Sequence, residues 1–176
     1  MVLLCGLAGP SRGQSLPTGL LPRTHRFAYT AVVPVEGVSQ ADLVLRARAW
    51  AQQVTPAGQF PVSTHGPDTE VVRTTGVCPL AYDWAGNKLL MSALRYTVTI
   101  SVRKGRYQYE VKDFFFVNPG SDRSPVSETP AETYFNGNFI PYNETAARFN
   151  GTMRTCFKEV TTEVLAHLQE GMRKAL

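Results

Sequence analysis

Histidine and cysteine are scarce in this sequence, and the spacing of the few present argues against metal-dependent chemistry. Three histidines and three cysteines occur in 176 residues. His25, His65 and His167 lie far apart, so no two of them have the spacing of a metal site or of a catalytic base and its partner. We therefore predict surface histidines, and neither a metal nor a cofactor.

Sequence motifs for catalysis are also missing. The chain has no G-x-S-x-G nucleophile elbow, no glycine-rich phosphate loop and no H-E-x-x-H pair. We interpret Asp83 beside Trp84 as an ordinary polar loop rather than as a site. These absences favour a non-catalytic protein, and an enzyme whose site is assembled from scattered residues is the alternative.

Long hydrophobic runs are absent as well. A helix needs about 20 apolar residues to cross a bilayer, and no segment reaches this length, so no transmembrane segment is expected. The first residues, "MVLLCGLAGPSRGQS", have the order of a secretory signal peptide. We predict a signal peptide over 1–13 and a linker over 14–25. Because no Lys or Arg precedes Val2, the signal is either atypical or truncated at its start. The expected location is the periplasm or the cell envelope.

Export would leave two cysteines in the mature chain. Cys5 lies within the predicted signal peptide, and Cys78 and Cys156 remain. An oxidising compartment permits a disulfide between them, provided that their Cα atoms come within about 7 Å. A Cys78–Cys156 disulfide and two buried free thiols are the two alternatives.

The composition is that of a folded protein. Hydrophobic residues make up 43% of the chain and charged residues 18%, whereas disordered chains are poorer in large apolar side chains. Eighteen basic against fourteen acidic residues give a net charge of +4, which points mildly to an anionic partner. A chain of this length fits one domain with flanking segments.

Hydrophobic periodicity predicts the first elements. "FAYTAVVPVEG" alternates as a strand does, and "SQADLVLRARAWAQQV" has apolar residues at helical spacing behind a capping box of Ser39 and Asp42. "TEVVRTTGVCP" predicts a second strand with a bulge at Gly76, and "PLAYDWAGNK" predicts a loop.

The clearest predicted element is a hairpin that turns at Lys104 and Gly105. One parity of its strands is apolar and is predicted to face the core: Leu94, Tyr96, Val98, Ile100, Val102, Tyr107, Tyr109 and Val111. The opposite parity is polar, and we predict it as a binding face: Arg95, Thr97, Thr99, Arg103, Arg106, Gln108, Glu110 and Lys112. Asp113 has the core parity, which predicts a bulge or strand end with the carboxylate accepting backbone N–H bonds.

The last third of the chain is predicted to contain a long irregular loop over 117–142 and a helix over about 144–174. The loop is rich in Pro, Gly, Ser, Thr and Asn. Its aromatic residues predict that its second half is held on the domain: Tyr134, Phe135, Phe139 and Tyr142. The helix has an apolar stripe, with Gly151 as an interruption or a start.

The predicted order of elements is βαβββα. Helices with one apolar stripe and a sheet with one apolar face predict a single two-layer α+β domain over 26–176, with a mainly antiparallel sheet and both helices on one face.

Two segments carry a family resemblance. They are "VVPVEGVSQADLVLRARAW", a strand that turns into a helix, and "YTVTISVRKGRYQYEVKDF", the hairpin. On these segments the chain resembles a family of exported bacterial proteins, known mostly from the Bacteroidetes, that has a domain of unknown function with a TBP-like fold. The resemblance implies a fold and an exported location, and it implies no activity and no site residue.

The resulting prediction is a non-catalytic binding or interaction module of the bacterial cell envelope. Another envelope protein or an anionic envelope component is the expected type of partner. A nucleic-acid-binding module is a third alternative, suggested by the basic residues of the hairpin. It is disfavoured, because RNA-binding sheets stack bases on exposed aromatics and the tyrosines of this hairpin have the core parity.

Overall fold

The computed structural model of the chain describes residues 19–20, 26–84, 87–120, 125–135 and 143–174, and the structural statements below concern these residues. The strands are β1 (Gly19–Leu20), β2 (Phe27–Pro34), β3 (Val62–His65), β4 (Glu70–Trp84), β5 (Asn87–Arg103), β6 (Arg106–Asn118) and β7 (Ser127–Pro130). They form an antiparallel sheet in the order β1-β2-β6-β5-β4-β3, with β7 paired to β6.

Two helices complete the fold on one face of the sheet. Helix α1 spans Gln40–Val54, helix α2 spans Glu144–Arg173, and a 3₁₀ turn at Ala131–Tyr134 precedes α2. The helices contact each other, and their buried residues join those of the sheet in one hydrophobic core. The predicted two-layer α+β fold is confirmed, with β1, β3 and β7 as short additions to the βαβββα order. None of the helices in the described part of the chain is long and apolar enough to span a membrane.

The β5–β6 hairpin forms as its alternation predicts. Gly105 turns the chain with a φ of 72°, a left-handed conformation that favours glycine. All eight residues of the apolar parity are buried, and Leu94, Val98 and Val102 have no exposed surface. The sheet therefore turns its apolar face to the helices.

Helix α1 begins and ends where its sequence signals lie. The Ser39 hydroxyl accepts a hydrogen bond from the Asp42 backbone N–H at 3.1 Å and donates one to the Asp42 carboxylate at 2.7 Å. The carboxylate thus pairs with the hydroxyl rather than with the backbone N–H of a capping box. The helix ends at Val54, before Pro56, and buries Leu43 and Trp50.

Strand β4 differs from its prediction in two ways. Its register is regular at Gly76, which pairs with Tyr96, and the irregularity lies at Leu80–Ala81 instead. The predicted loop "PLAYDWAGNK" is largely strand, because β4 continues to Trp84 and pairs with the start of β5. Local turn propensity is overridden there by pairing with a long neighbouring strand.

The C-terminal third is also more regular than predicted. The segment 117–142 contains the end of β6, strand β7 and the 3₁₀ turn. Tyr134 is buried, and Phe135 packs on Phe157 with ring centroids 5.3 Å apart, as expected of a segment held on the domain. Phe139 and Tyr142 lie outside the described residues. Helix α2 passes through Gly151 without interruption, because packing along the whole stripe outweighs one poor helix former.

The predicted linker contributes to the sheet at one point. Gly19 and Leu20 pair with Ala28 and Phe27 of β2. The rest of the predicted signal peptide and linker, 1–18 and 21–25, lies outside the described residues, so these two boundaries stay predictions.

The predicted irregularity at Asp113 is a bulge. Between the pairs Arg95–Phe115 and Thr97–Lys112, two residues of β6 face one residue of β5. Asp113 has a φ of 55°, the one positive φ among the described non-glycine residues. Its carboxylate lies 3.6 Å from Arg26 Nη1, and it accepts no hydrogen bond from a backbone N–H of the described residues, where the prediction expected one.

We expect the backbone of Asp113 to decide which substitutions the bulge accepts. Asp and Asn tolerate left-handed φ, whereas β-branched residues do not. Asp113→Asn should change the free energy of unfolding by less than about 0.5 kcal/mol, and Asp113→Val should lower it by about 1–3 kcal/mol. Urea titration of both variants measures this difference. Equal losses would mean that the Arg26 contact, not the backbone, is what the position requires.

Candidate binding face of the sheet

The outer face of the sheet, opposite the helices, carries all eight residues of the predicted binding face. Arg103, Arg106 and Gln108 are exposed there, and Arg95, Thr99, Glu110 and Lys112 are half-buried. Thr97 is only 8% exposed, less than its parity suggested. Its cross-strand neighbours Thr75 and Lys112 flank it in the middle of the sheet, where a short side chain is easily covered.

Two cations of this face are neutralised within the protein. Arg95 forms a two-pronged contact with the Glu128 carboxylate at 2.6 and 3.0 Å and also lies 4.7 Å from the centre of the Phe115 ring. Lys112 Nζ lies 2.6 Å from Glu110. Because Arg95 and Lys112 each already bind a carboxylate of the protein, they are less able to bind an external anion.

Two other cations of the face have no carboxylate partner. Arg103 and Arg106 are directly opposite each other in the β5–β6 register, and neither forms an ion pair with any described residue. Arg103 Nε donates a hydrogen bond to the Thr69 hydroxyl at 2.9 Å, which orients its guanidinium. Like charges facing each other across a sheet are destabilising.

A shallow hollow of about 300 Å³ lies at this arginine pair. It is lined by Val32, Thr69, Ser101, Arg103, Arg106 and Gln108. Three of these side chains offer neutral hydrogen-bonding groups beside the two guanidinium groups. The arrangement is suited to a phosphate or carboxylate group, because guanidinium binds both with paired N–H donors.

Three further residues lie on the outer face that the sequence analysis did not assign to it. Arg73 is exposed there, opposite Thr99, and the alternation of "EVVRTT" could have placed it, since Val72 and Thr74 are buried. Phe115 reaches the outer face because the bulge at Asp113 reverses the parity of β6. Val32 is 55% exposed, and only the pairing of β2 with β6 brings it beside Gln108.

The tyrosines of the hairpin are core residues. Tyr107 and Tyr109 are each 1% exposed. Burial raises the pKa of Tyr107 to about 12, so its phenol stays neutral at any physiological pH. Neither ring is available to stack on a base.

Cys78 and Cys156 are free, half-buried thiols in the structure, and the disulfide between them stays a prediction. Cys78 lies on β4 and its Sγ is 3.9 Å from the Tyr96 hydroxyl, whereas Cys156 lies on α2. Burial raises the pKa of both thiols, which lowers their reactivity.

The two described histidines, His65 and His167, each contact one polar side chain of the protein. The Trp50 indole N–H donates to His167 Nδ1 at 3.2 Å between the two helices. His65 Nδ1 lies 3.5 Å from the Glu70 carboxylate at the β3 edge, and His25 lies outside the described residues. Within the described ranges, no three His, Cys, Asp or Glu side chains come together as a metal site requires.

Comparison with known proteins gives structural similarity alone. No family model and no curated protein matches the chain. The crystal structure of a TBP-like protein from Parabacteroides distasonis ATCC 8503 is similar with a TM-score of 0.50 and 14% identity, over 85% of this chain and 97% of that one. A DUF4468 family protein from Bacteroides ovatus ATCC 8483 is similar with a TM-score of 0.60 and 11% identity, over 90% of this chain and 93% of that one.

Both similar structures come from Bacteroidetes, the group in which the resembling family was expected. At these identities the similarity extends to the fold, and no site residue is carried over. The chain therefore has the TBP-like α+β fold that its sequence predicts.

Proposed function

We propose that the protein is a non-catalytic binding module of the bacterial cell envelope, and that the hollow at Arg103 and Arg106 binds a phosphate or carboxylate group of an anionic envelope component. The observation that carries this proposal is the pair of facing arginines without a carboxylate partner in the described residues.

The positive charges of Arg103 and Arg106 are not compensated by a carboxylate of the described residues. Elsewhere on the same face, Arg95 and Lys112 each have a carboxylate within 2.6 Å. At the hairpin end, two arginines are directly opposite each other in the strand register instead, and like charges at such positions cost stability. An anion between them would relieve this repulsion and gain charge-assisted hydrogen bonds. Binding sites commonly retain such locally unfavourable charge.

The envelope location rests on the sequence. The apolar N-terminal run followed by small residues supports export. In the envelope, acidic polymers and phosphorylated lipids supply the anionic groups that this hollow suits. The net charge of +4 would assist their approach.

We expect the double substitution Arg103→Gln/Arg106→Gln to abolish most anion binding. Titration of the protein with inorganic pyrophosphate at low salt, followed by amide chemical shifts, should show saturable changes in the hairpin. Loss of two charge-assisted contacts should weaken binding by about tenfold, and added salt should weaken binding to the unsubstituted protein.

The matched control is Arg148→Gln/Lys174→Gln, which removes the same charge from exposed positions of α2 and its C-cap. It should bind pyrophosphate as the unsubstituted protein does. The hairpin variant should also be as stable as the unsubstituted protein, or more stable by a few tenths of a kcal/mol, because the repulsion is gone. Equal affinity in both double variants would refute the arginine site.

The nucleic-acid alternative has less support. Phe115 is the aromatic residue that the outer face offers among the described residues, and the Arg95 guanidinium lies over its ring. A stacking platform needs several exposed rings. An electrophoretic titration with single-stranded and duplex DNA tests it directly, since a salt-sensitive shift would reinstate this function.

A further inference from the structure

A second hollow lies on the opposite side of the sheet, between strand β2 and helix α2. Its volume is about 450 Å³, within the range of about 300–1,000 Å³ typical of small-molecule sites. The residues that carry the inference are Phe27, Tyr29, Phe135, Phe157, Lys158 and Thr161.

Three aromatic rings form one wall of this hollow. The ring centroids of Phe27 and Phe157 are 4.9 Å apart, and Phe135 meets both rings, at 4.9 and 5.3 Å. Phe157 is 2% exposed and anchors the cluster in the core. Rings held by mutual contacts form a wall that exists before any ligand arrives, which lowers the entropy cost of binding.

The polar groups inside the hollow are already satisfied. The Thr161 hydroxyl donates to the Phe157 carbonyl at 2.8 Å, the Thr162 hydroxyl donates to the Lys158 carbonyl at 2.8 Å, and the Tyr29 hydroxyl interacts with Thr161. Burial raises the pKa of Tyr29, so its phenol is neutral. The interior therefore offers contact surface without charge and without an unfilled hydrogen bond, as an alkyl chain requires.

A cation of α2 lies at the rim. Lys158 lines the hollow from an exposed position of α2, and its ammonium group forms no ion pair with a described residue. The Arg154 guanidinium also lies near this wall, 5.8 Å from the centre of the Phe135 ring. An apolar interior with the Lys158 ammonium at its mouth is complementary to a molecule that has an apolar body and one acidic end.

We propose that this hollow binds a medium-chain alkyl carboxylate, with the chain against Phe27, Phe135 and Phe157 and the carboxylate at Lys158. The site is independent of the arginine pair, which lies on the other face of the sheet. The protein would then have two ligand sites of different chemistry, one on each side.

The test compares decanoate with decylammonium, which has the same chain and the opposite charge, by titration calorimetry below micelle-forming concentrations. Decanoate should bind more tightly by at least about fivefold, because one partly exposed ion pair replaces a repulsion. Lys158→Glu should reverse this preference. Lys104→Glu, at the exposed hairpin turn, is the control for charge and should leave the preference unchanged.

A second variant tests occupancy of the hollow itself. Thr162 lines the hollow from an exposed helical position, so Thr162→Trp should fill it without disturbing the core and weaken decanoate binding by at least about tenfold. Thr155→Trp, at an exposed position of α2 outside the lining, should bind normally. Absence of decanoate binding, equal affinity for the two ligands, or full binding by Thr162→Trp would each overturn the proposal. Failure of the arginine site would leave these outcomes untouched.

Discussion

Replacing Gly76 with alanine is expected to lower the free energy of unfolding by about 2–3 kcal/mol. Gly76 pairs with Tyr96 across β4 and β5, and an added Cβ would lie 2.3 Å from the buried Tyr96 ring. Carbon atoms in contact need about 3.5–4.0 Å. The ring cannot simply move away, because Tyr96 is 2% exposed and packs near Phe114. Urea titration measures the loss.

The control is the same substitution where space is open. Gly151 lies within α2, and no atom outside its own stretch of helix lies within 4 Å of the place that a Cβ would take. Gly151→Ala should therefore raise the free energy of unfolding by about 0.5–1 kcal/mol through helix propensity. In a double-mutant cycle, the Gly76→Ala loss should shrink by about 1 kcal/mol or more when Tyr96 is replaced with valine. Additive losses would show that steric contact with the ring is not the cause.

Replacing Tyr109 with serine is expected to cost about 3–5 kcal/mol, a large fraction of the stability of a domain. Tyr109 is 1% exposed, lies between Ala31 of β2 and Ile100 of β5, and has its hydroxyl 3.5 Å from Gln169 Nε2 of α2. Serine would leave a cavity at the junction of three elements. The midpoint of a urea transition should fall with an unchanged slope.

Arg106→Ser is the paired control, because it lies three residues away on the opposite face of the same strand. It should change stability by less than about 0.5 kcal/mol, since its guanidinium is exposed and forms no ion pair with a described residue. Equal small effects from both variants would contradict the face assignment on which the candidate arginine site depends.

Much of the candidate arginine site follows from alternation alone. Strict period-two patterning from Leu94 to Val111 places tyrosines inside and arginines outside, because successive side chains of a strand point to opposite faces. Arg103 and Arg106 face each other because a two-residue turn at Lys104 and Gly105 sets the hairpin register. The face of each residue was predicted from the sequence, and the pairing of Arg103 with Arg106 is consistent with the predicted turn.

Which of the outer cations are free could not be predicted in the same way. Arg95 forms an ion pair with Glu128, 33 residues along the chain, because β7 pairs with the end of β6. That strand lies in a segment whose Pro, Ser and Thr content indicates a loop. Local composition carries no information about a distant strand that supplies the missing partner.

The hollow between β2 and α2 likewise could not be predicted from the sequence. Phe27 and Phe157 are 130 residues apart in the numbering of the chain, and their contact arises only when α2 packs on the sheet. Strand alternation places Phe27 on an apolar face and helical spacing does the same for Phe157, but neither pattern indicates which ring each one contacts.

The sequence by itself determined the βαβββα order, the start and end of α1, the turn at Gly105 and an irregularity at Asp113, while it left the start of α2 open at Gly151. Each of these is set by residues within a few positions of one another, through φ preference, capping or side-chain parity. Only the tertiary structure decided that Gly76 makes room for Tyr96, that β4 extends to Trp84, and that Arg103 and Arg106 are left without carboxylates among the described residues. These features depend on pairing between segments that lie far apart in the chain. The energy of such a contact depends on both segments, so the local sequence of either segment cannot predict it.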